Sequence, residues 1–421
     1  MKITDNFLQE ILENRKFKKD FSHQQNKIAA LTHFLNNTNN LYSDHFKVEA
    51  FDFLEAVLSW KFPNETISED LVEDVMNSLE NNINIDYPFL APENPKFTFI
   101  DLFAGIGGFR LALQNLGGSC VFSSEWDTYS KQTYQANFGK LPFGDITLPE
   151  TKAAIPKSFD ILCAGFPCQA FSIAGKRGGF EDTRGTLFFD VAEIIAKHKP
   201  KAFFLENVKG LTNHDKGRTL ATILNVLRED LGYYVPEPKI MNAKDFGVPQ
   251  NRERIFIVGF RKDLNINSFQ YPEPLSLDTC VSDIIEEKEV SVKYYLSKQY
   301  LSTLVEHKKR HADKGNGFGY EILKNDGIAN AVVCGGMGRE RNLVLDNRLT
   351  NFTPVTNIKG EVNREGVRKM TPREWARLQG FPDSYKLVVS DAQAYKQFGN
   401  SVAVPAIQAT AKQILNTLEI Q

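Results

Sequence analysis

The sequence predicts an α/β protein, with a mostly parallel sheet, a smaller irregular second region and a helical N-terminal extension. Three observations predict this. From Phe97 onward, short apolar strands alternate with helices of roughly 10–15 residues, the pattern of parallel α/β units. Residues 1–87 instead carry apolar residues at helical spacing. After about residue 265 the alternation fades, and Gly, Asn and basic residues accumulate through Arg377.

In the extension, Phe7, Leu8, Ile11 and Leu12 have helical spacing, as do Phe51, Phe53, Leu54, Val57 and Leu58, ending near Trp60–Pro63. Asn36–Asn40 reads as a turn-rich break, and a third helix is expected from Ser68 to about Leu79. Pro88, Pro92 and Pro95 mark a linker. Strands are then expected at Phe97–Phe103, Val121–Ser124, Asp160–Gly165, Ala202–Glu206 and Arg254–Phe260. Helices are expected at Gly108–Leu116, Thr128–Asn137 and Leu187–His198.

The 421 residues allow two or three domains at about 150 residues each. Lys and Arg number 50 against 52 Asp and Glu, a net charge of −2, which excludes a histone-like basic binder. The balance hides an asymmetry. Residues 1–96 hold 9 basic and 16 acidic residues, a net of −7, and the remainder carries +5. Within it, residues 293–377 hold 16 basic and 9 acidic, a net of +7. The five cysteines are too scattered for a disulfide framework, and no Cys/His group has zinc spacing, so no structural metal is expected. The N-terminal segment has no apolar core of a signal peptide, and no stretch of about 18 apolar residues exists. A soluble protein of the reducing cytoplasm is expected.

Several segments carry chemistry. FIDLFAGIGGFR places Gly105, Gly107 and Gly108 between a strand and a helix, the position of a nucleotide-binding turn. Arg110 stands where a third glycine would let a pyrophosphate approach, so the spacing favours an adenosine ligand without one. Glu125 follows Gly105 by 20 residues, at the end of the next strand, where an acid takes ribose hydroxyls. Trp126 is a candidate to stack on adenine, and Asp145, expected near a strand end, to accept from its amino group. Cys168 lies just beyond a strand, behind Pro167, at the edge where open α/β sheets do their chemistry. Its thiolate would be the nucleophile. The charged, glycine-rich residues 175–185 read as a closing loop. Glu206, after apolar Phe203–Leu205, is a carboxyl whose pKa burial would raise. Arg252 and Arg254 open a strand, where either is a candidate to hold a carboxylate or a carbonyl oxygen.

Together these segments resemble the cytosine-C5 DNA methyltransferases of bacterial restriction-modification systems. DLFAGIGGFR, SSEWD, GDIT, GFPCQAFS, ENV, QNRERIFIVGF, RKMTPREWARLQGFPD and QFGNSVAVPA match in order and spacing, from about Phe97 to Ala406. The resemblance implies a Rossmann-like fold that binds S-adenosyl-L-methionine and acts on a flipped-out cytosine of double-stranded DNA. It implies that Cys168 adds to C6, that Glu206 bonds N3, and that Arg254, with Arg252 beside it, supports Glu206 and the O2 oxygen. Cofactor positions carry over to Phe103, Gly105, Gly107, Glu125, Trp126, Asp145, Ile146, Pro167, Leu187, Asn400, Ser401 and Val402. Residues Gln169, Ser172, Lys176, Arg177, Arg339 and Arg341 are the expected DNA contacts. Segments 315–320 and 334–342 look like members that methylate GGNCC- or GGWCC-type palindromes.

The implied division is an extension over 1–95, a catalytic part over 96–270, a target-recognition domain over 271–377, and a C-terminal segment, 378–421, completing the catalytic part. The last helix is expected to fold back against the first strand. Trp375 stands where many members carry cysteine. A tRNA-modifying branch carries a Cys-Phe-Thr segment that this sequence lacks, and intact Cys168, Glu206 and Arg254 argue against an inactive DNA-binding regulator. A monomer is expected, sharing its site with a restriction endonuclease without a stable complex. The acidic extension lies outside the resemblance and is expected to be a structural or regulatory addition.

Overall fold

The computed structural model describes every residue except 1–6, 8–13, 22, 37–41, 82–86, 168–186, 276, 318, 336–337, 356–359 and 421. The extension forms helices α1 (Arg15–Asp20), α2 (Gln25–Leu35), α3 (Ser43–Lys61) and α4 (Glu69–Asn81). Phe7 is buried, whereas Leu8, Ile11, Leu12 and Asn37–Asn40 lie outside the described residues. Helix α2 was not singled out by periodicity. All of Ile28 to Leu35 is buried, so it shows no polar face.

The main sheet follows, beginning with strand β1 (Phe97–Leu102), helix α5 (Gly108–Gln114), β2 (Gly118–Ser124) and α6 (Thr128–Phe138). After the short helix α7 (Pro149–Ala153) come β3 (Ile161–Gly165), α8 (Leu187–His198) and β4 (Ala202–Val208). Helix α9 (Arg218–Asn225) precedes β5 (Tyr233–Tyr234), β6 (Lys239–Asn242), β7 (Gln250–Asn251) and β8 (Glu253–Arg261). The seven-stranded sheet has the order β2-β1-β3-β4-β8-β5, with β6 also paired to β8. Strands β2, β1, β3 and β4 are mutually parallel, while β8 runs antiparallel to β4, β5 and β6. The sheet is therefore mostly parallel, with β8 alone reversed. Apolar periodicity located β8 but carries no information on its direction. Asp145 does not stand at a strand end, in contrast to the expectation; the described residues just before it make a single bridge, from Phe143 to Ser124.

Strand residues point alternately to two apolar layers. Phe97, Phe99, Phe204 and Val258 face the layer that contains α5 and the C-terminal helices. Ile100, Leu102, Leu205 and Ile257 face the layer that contains α8 and the apolar residues of the extension. The extension therefore shares its core with the sheet. Phe46 of α3 lies 5.6 Å from the ring of Phe143, which stacks 4.9 Å from Phe122 of β2.

Beyond β8 come α10 (Lys298–Ala312) and the short strands β9 (Ala329–Asn330), β10 (Leu343–Leu345) and β11 (Val367–Lys369). Strands β10 and β11 form an antiparallel pair, and β7 pairs with β9. Two small apolar clusters sit here, one around Tyr295 and Leu349 and one around Leu304 and Leu343. The buried Arg368 bonds Asp346 Oδ2 and Glu374 Oε1, each at 2.8 Å, and so ties β11 to helix α11 (Pro372–Leu378). A reciprocal Thr371–Glu374 cap and Pro372 start that helix. Helices α12 (Asp391–Asn400) and α13 (Val404–Thr417) end the fold, with α13 packed on α5, the helix after β1, more than on the strand itself. No helix among the described residues is long and apolar enough to cross a membrane.

Candidate active site

The strand order changes direction between β1 and β3: the chain passes from β1 out to β2, then returns to β3 on the other side of β1. In such sheets the carboxyl ends of the two central strands open into a crevice. The turn after β1 fills one side of it. Phe103, Gly105 and Gly107 all have left-handed backbone, with φ of 56°, 55° and 83°. A Cβ on Gly107 would stand 2.4 Å from the Phe138 ring, whereas a Cβ on Gly105 would meet no atom within 4 Å. The Glu125 carboxylate sits against this turn, accepting from Gly105 N at 2.7 Å and from Asp127 N at 2.8 Å. Burial pushes its pKa up, and the two amides oppose that shift. Trp126 follows with its indole 80% exposed. An open backbone cradle, an adjacent acid and an uncovered aromatic ring fit an adenosine moiety.

Asp145 is half-buried, with Oδ1 accepting from Thr147 N at 2.9 Å in a local turn, and Ile146 beside it is buried. Pro167 is exposed at the end of β3, and Leu187 is half-buried at the start of α8. Between them, Cys168, Gln169, Ser172, Lys176, Arg177 and the 175–185 segment lie outside the described residues.

Glu206, near the end of β4, pairs in register with Gly165 of β3. Its Oε2 lies 3.5 Å from where a Gly165 Cβ would stand, which places the carboxylate beside the end of β3. Arg254 pairs with Val208, two residues beyond Glu206 on β4, and from that diagonal its Nε reaches Glu206 Oε1 at 2.9 Å. Burial raises the Glu206 pKa; Arg254 and Arg252 counter it, Arg254 the more strongly. The result is a carboxyl that one fixed cation orients and whose second oxygen faces the crevice edge. Asn207, buried next to it, donates from Nδ2 to Phe166 O at 2.8 Å and so fixes the chain two residues before Cys168. Asn207 is not among the residues expected from sequence, although its place in ENV, between Glu206 and the strand end, was a visible signal.

Arg252 is almost fully buried and does not pair with Glu206. It donates to Val332 O at 2.6 Å, Gly399 O at 3.0 Å and Ser401 O at 2.6 Å. Of the two arginines, Arg254 holds a carboxylate and Arg252 holds carbonyl oxygens. Arg252 thereby draws the Asn400–Val402 turn to the start of β8. Val402 methyls lie 2.7 Å from a Gly108 Cβ position and 3.9 Å from a Gly165 Cβ position, bringing this late segment between α5 and β3. Asn400 is exposed, accepting from Cys334 Sγ at 2.8 Å, and Ser401 is half-buried. Gln250, two residues before Arg252, was also missed: its buried amide donates to Leu378 O and accepts from Val332 N. Arg339 lies 5.4 Å over the Tyr395 ring, and Arg341 Nη2 donates to Asn330 Oδ1 at 3.3 Å.

Comparison with known proteins agrees with this architecture. The family profile described as C-5 cytosine-specific DNA methylase matches residues 97–416. The Type II methyltransferase M.HpaII of Haemophilus parainfluenzae is 74% identical over 83% of this chain and 98% of its own length. The Type II methyltransferase M.HhaI of Haemophilus parahaemolyticus is 45% identical over 77% of this chain and 95% of its own. Among solved structures, the S. pombe Dnmt2 methyltransferase superposes with a TM-score of 0.56 at 19% identity, covering 76% of this chain and 99% of that one, a likeness of fold. From Phe97 to near its C-terminus, the chain belongs to the C-5 cytosine-specific DNA methylase family.

Proposed function

We propose that this protein transfers a methyl group from S-adenosyl-L-methionine to C5 of a cytosine flipped out of duplex DNA, as the modifying half of a restriction-modification system. The observation that carries the reading is the buried Glu206, oriented by Arg254 at 2.9 Å at the sheet edge that leads into Pro167-Cys168.

C5 of cytosine is a poor nucleophile. In this reading the Cys168 thiolate forms a bond to C6, while protonated Glu206 donates to N3 and stabilises the charge that enters the ring. C5 becomes enamine-like and takes the methyl. Loss of the C5 proton to water then restores the double bond, expels the thiolate and returns the N3 proton to Glu206. Splitting one difficult step into easier ones is covalent catalysis. The cofactor supplies an electrophilic methyl on a sulfonium. Gly105 and Glu125 would seat its adenosine and Trp126 would stack on the base, while Arg252 holds the Asn400–Val402 turn in place. Extruding the cytosine costs a few kcal/mol, roughly, offset by contacts to the flipped base. Arg339 and Arg341, with Gln169, Ser172, Lys176 and Arg177, contact DNA, phosphates giving salt-dependent affinity and base edges specificity. We place the target-recognition domain over 271–377, between the two parts of the catalytic domain, and the protein as a monomer in the cytoplasm.

Labelled-methyl transfer to duplex DNA and to tRNA, by wild type and Cys168→Ala, tests the reading. Transfer to DNA alone, lost in Cys168→Ala with DNA and cofactor binding kept, is the expected result. Full methylation by the variant, or tRNA as the only acceptor, overturns it.

A further inference from the structure

The extension does more than cover a sheet face. Its polar contacts with the catalytic part concentrate on the chain between Lys131 and Ala154. Asn26 of α2 clamps both ends of one turn: its Oδ1 accepts from Gly144 N at 2.8 Å, and its Nδ2 donates to Thr151 Oγ1 at 3.1 Å. Thr32 Oγ1 accepts from Leu141 N at 3.0 Å, and Asn36 Nδ2 donates to Gly139 O at 3.2 Å. Gln25 Oε1 accepts from Lys131 Nζ at 3.2 Å on α6. From α3, His45 Nε2 meets Ala154 O at 3.0 Å.

These bonds fall where the sheet offers little support. Between Gly139 and Leu148 the only ladder contact among the described residues is the Phe143–Ser124 bridge. The segment nevertheless carries Asp145 and Ile146, and α6 leads back to Glu125 and Trp126. A loop without a ladder samples many conformations unless side chains supply the missing bonds. Asn26 supplies one of them, to the amide immediately before Asp145, and anchors the far side of the turn through Thr151 Oγ1 on α7.

We propose that Asn26 is a positioning residue for cofactor binding, and that the extension holds the Gly144–Thr151 turn so that Asp145 and Ile146 are preorganised for the adenine of S-adenosyl-L-methionine. The inference rests on the cofactor reading above and deepens it. A preordered site avoids the ordering cost at the moment of binding. Removing the clamp therefore weakens cofactor affinity, with DNA affinity and the methyl-transfer step at saturation nearly untouched.

The test is calorimetric titration of S-adenosyl-L-methionine into full-length wild type, Asn26→Ala, Thr151→Val and Asp145→Ala, with DNA affinity and thermal midpoint measured alongside. Asn26→Ala is expected to raise Kd about tenfold, the equivalent of losing one to two net hydrogen bonds. Thr151→Val, which removes one bond at constant shape, is expected to raise it about threefold. In turnover, KM for the cofactor should rise with kcat within about twofold, a split that a general loss of folded protein cannot produce. Cofactor Kd within twofold of wild type in both Asn26→Ala and Thr151→Val overturns the proposal. So does a parallel loss of DNA affinity and thermal midpoint, which assigns Asn26 to fold maintenance. If Asn26→Ala does not fold, Thr151→Val decides alone. Unchanged Kd in Asp145→Ala would instead sink the cofactor reading of the loop, and the inference with it.

Discussion

Glu206 sits between opposed influences. Burial favours its neutral form and the Arg254 guanidinium favours its charge, with burial the larger. A carboxyl in that balance can donate to a ring nitrogen and accept a formal negative charge in turn. Glu206→Ala is expected to lower kcat by about 10²–10⁴-fold, while equilibrium DNA binding is retained; single-turnover methylation separates the two. A second buried acid makes a pH prediction. Asp101 on β1 has its pKa pushed up to about 8 by burial, against the 3.8 of an ordinary aspartate, with Arg110 opposing the shift. The folded state thus holds this proton more tightly than the unfolded chain. The stability it contributes is full below about pH 4 and is lost as pH rises through 8. Asp101→Asn, a mimic of the protonated form, should gain in melting temperature relative to wild type between pH 6 and 9; a flat difference would mean that Asp101 is charged throughout. That Glu206 and Arg254 come together was legible in sequence because strand ends and charged residues at them are visible there, whereas Cys168 lies outside the described residues. That Arg252 holds three carbonyls rather than a carboxylate was not, since those carbonyls come from residues 80 to 149 positions away.

The turn after β1 makes a contrast within one element. Gly105→Ala and Gly107→Ala each force a left-handed residue, at about 1–2 kcal/mol. Only the Gly107 methyl meets a wall, the Phe138 ring. Differential scanning fluorimetry should show the larger loss for Gly107→Ala, whereas Gly105→Ala, whose methyl projects into open space, should mainly weaken cofactor binding. Arg368 provides a second case. Replacing it with Met leaves Asp346 and Glu374 as buried carboxylates without their shared cation, an expected loss of about 3–5 kcal/mol, read from denaturant unfolding. At this scale the five strands expected from sequence all form, with ends shifted by up to three residues, and α8 spans Leu187–His198 as its spacing said, while the short strands β5, β6, β7 and β9 to β11 carried no apolar run long enough to read. Direction was not: β8 looks the same in sequence whether it runs with β4 or against it. The strand expected before Asp145 reduced to one bridge, since the bonds holding that loop come from side chains of the extension.

Across the whole molecule the extension is the part the sequence illuminated least. Its acid excess spoke against a DNA clamp, yet its neighbours could not be read from it. The structure shows Phe46 meeting Phe143, and α2 bonded to the loop on either side of Phe143, at Leu141 and Gly144. A chain beginning at residue 97 is therefore expected to lose solubility along with cofactor affinity, because the apolar layer around Val121, Phe122 and Phe143 would face water. Soluble, fully active protein from that truncation would show the extension to be dispensable. Deletion should also remove a net charge of −7, so any soluble fraction should bind DNA more tightly at low salt.

The packing of α13 on α5 has a consequence in time. A ribosome adding about 5–20 residues per second needs some tens of seconds, roughly, to travel from residue 114 to residue 404. Throughout that interval the first-made helix of the crevice waits for its neighbour, and the Arg252 guanidinium for two of its three carbonyls. A nascent chain can form the parallel half of its sheet early but cannot close the crevice before the segment from Gly399 through α13 has been made. Newly made protein would thus turn from inert to active in a single late event, and an incomplete product would carry no methylating activity to misdirect.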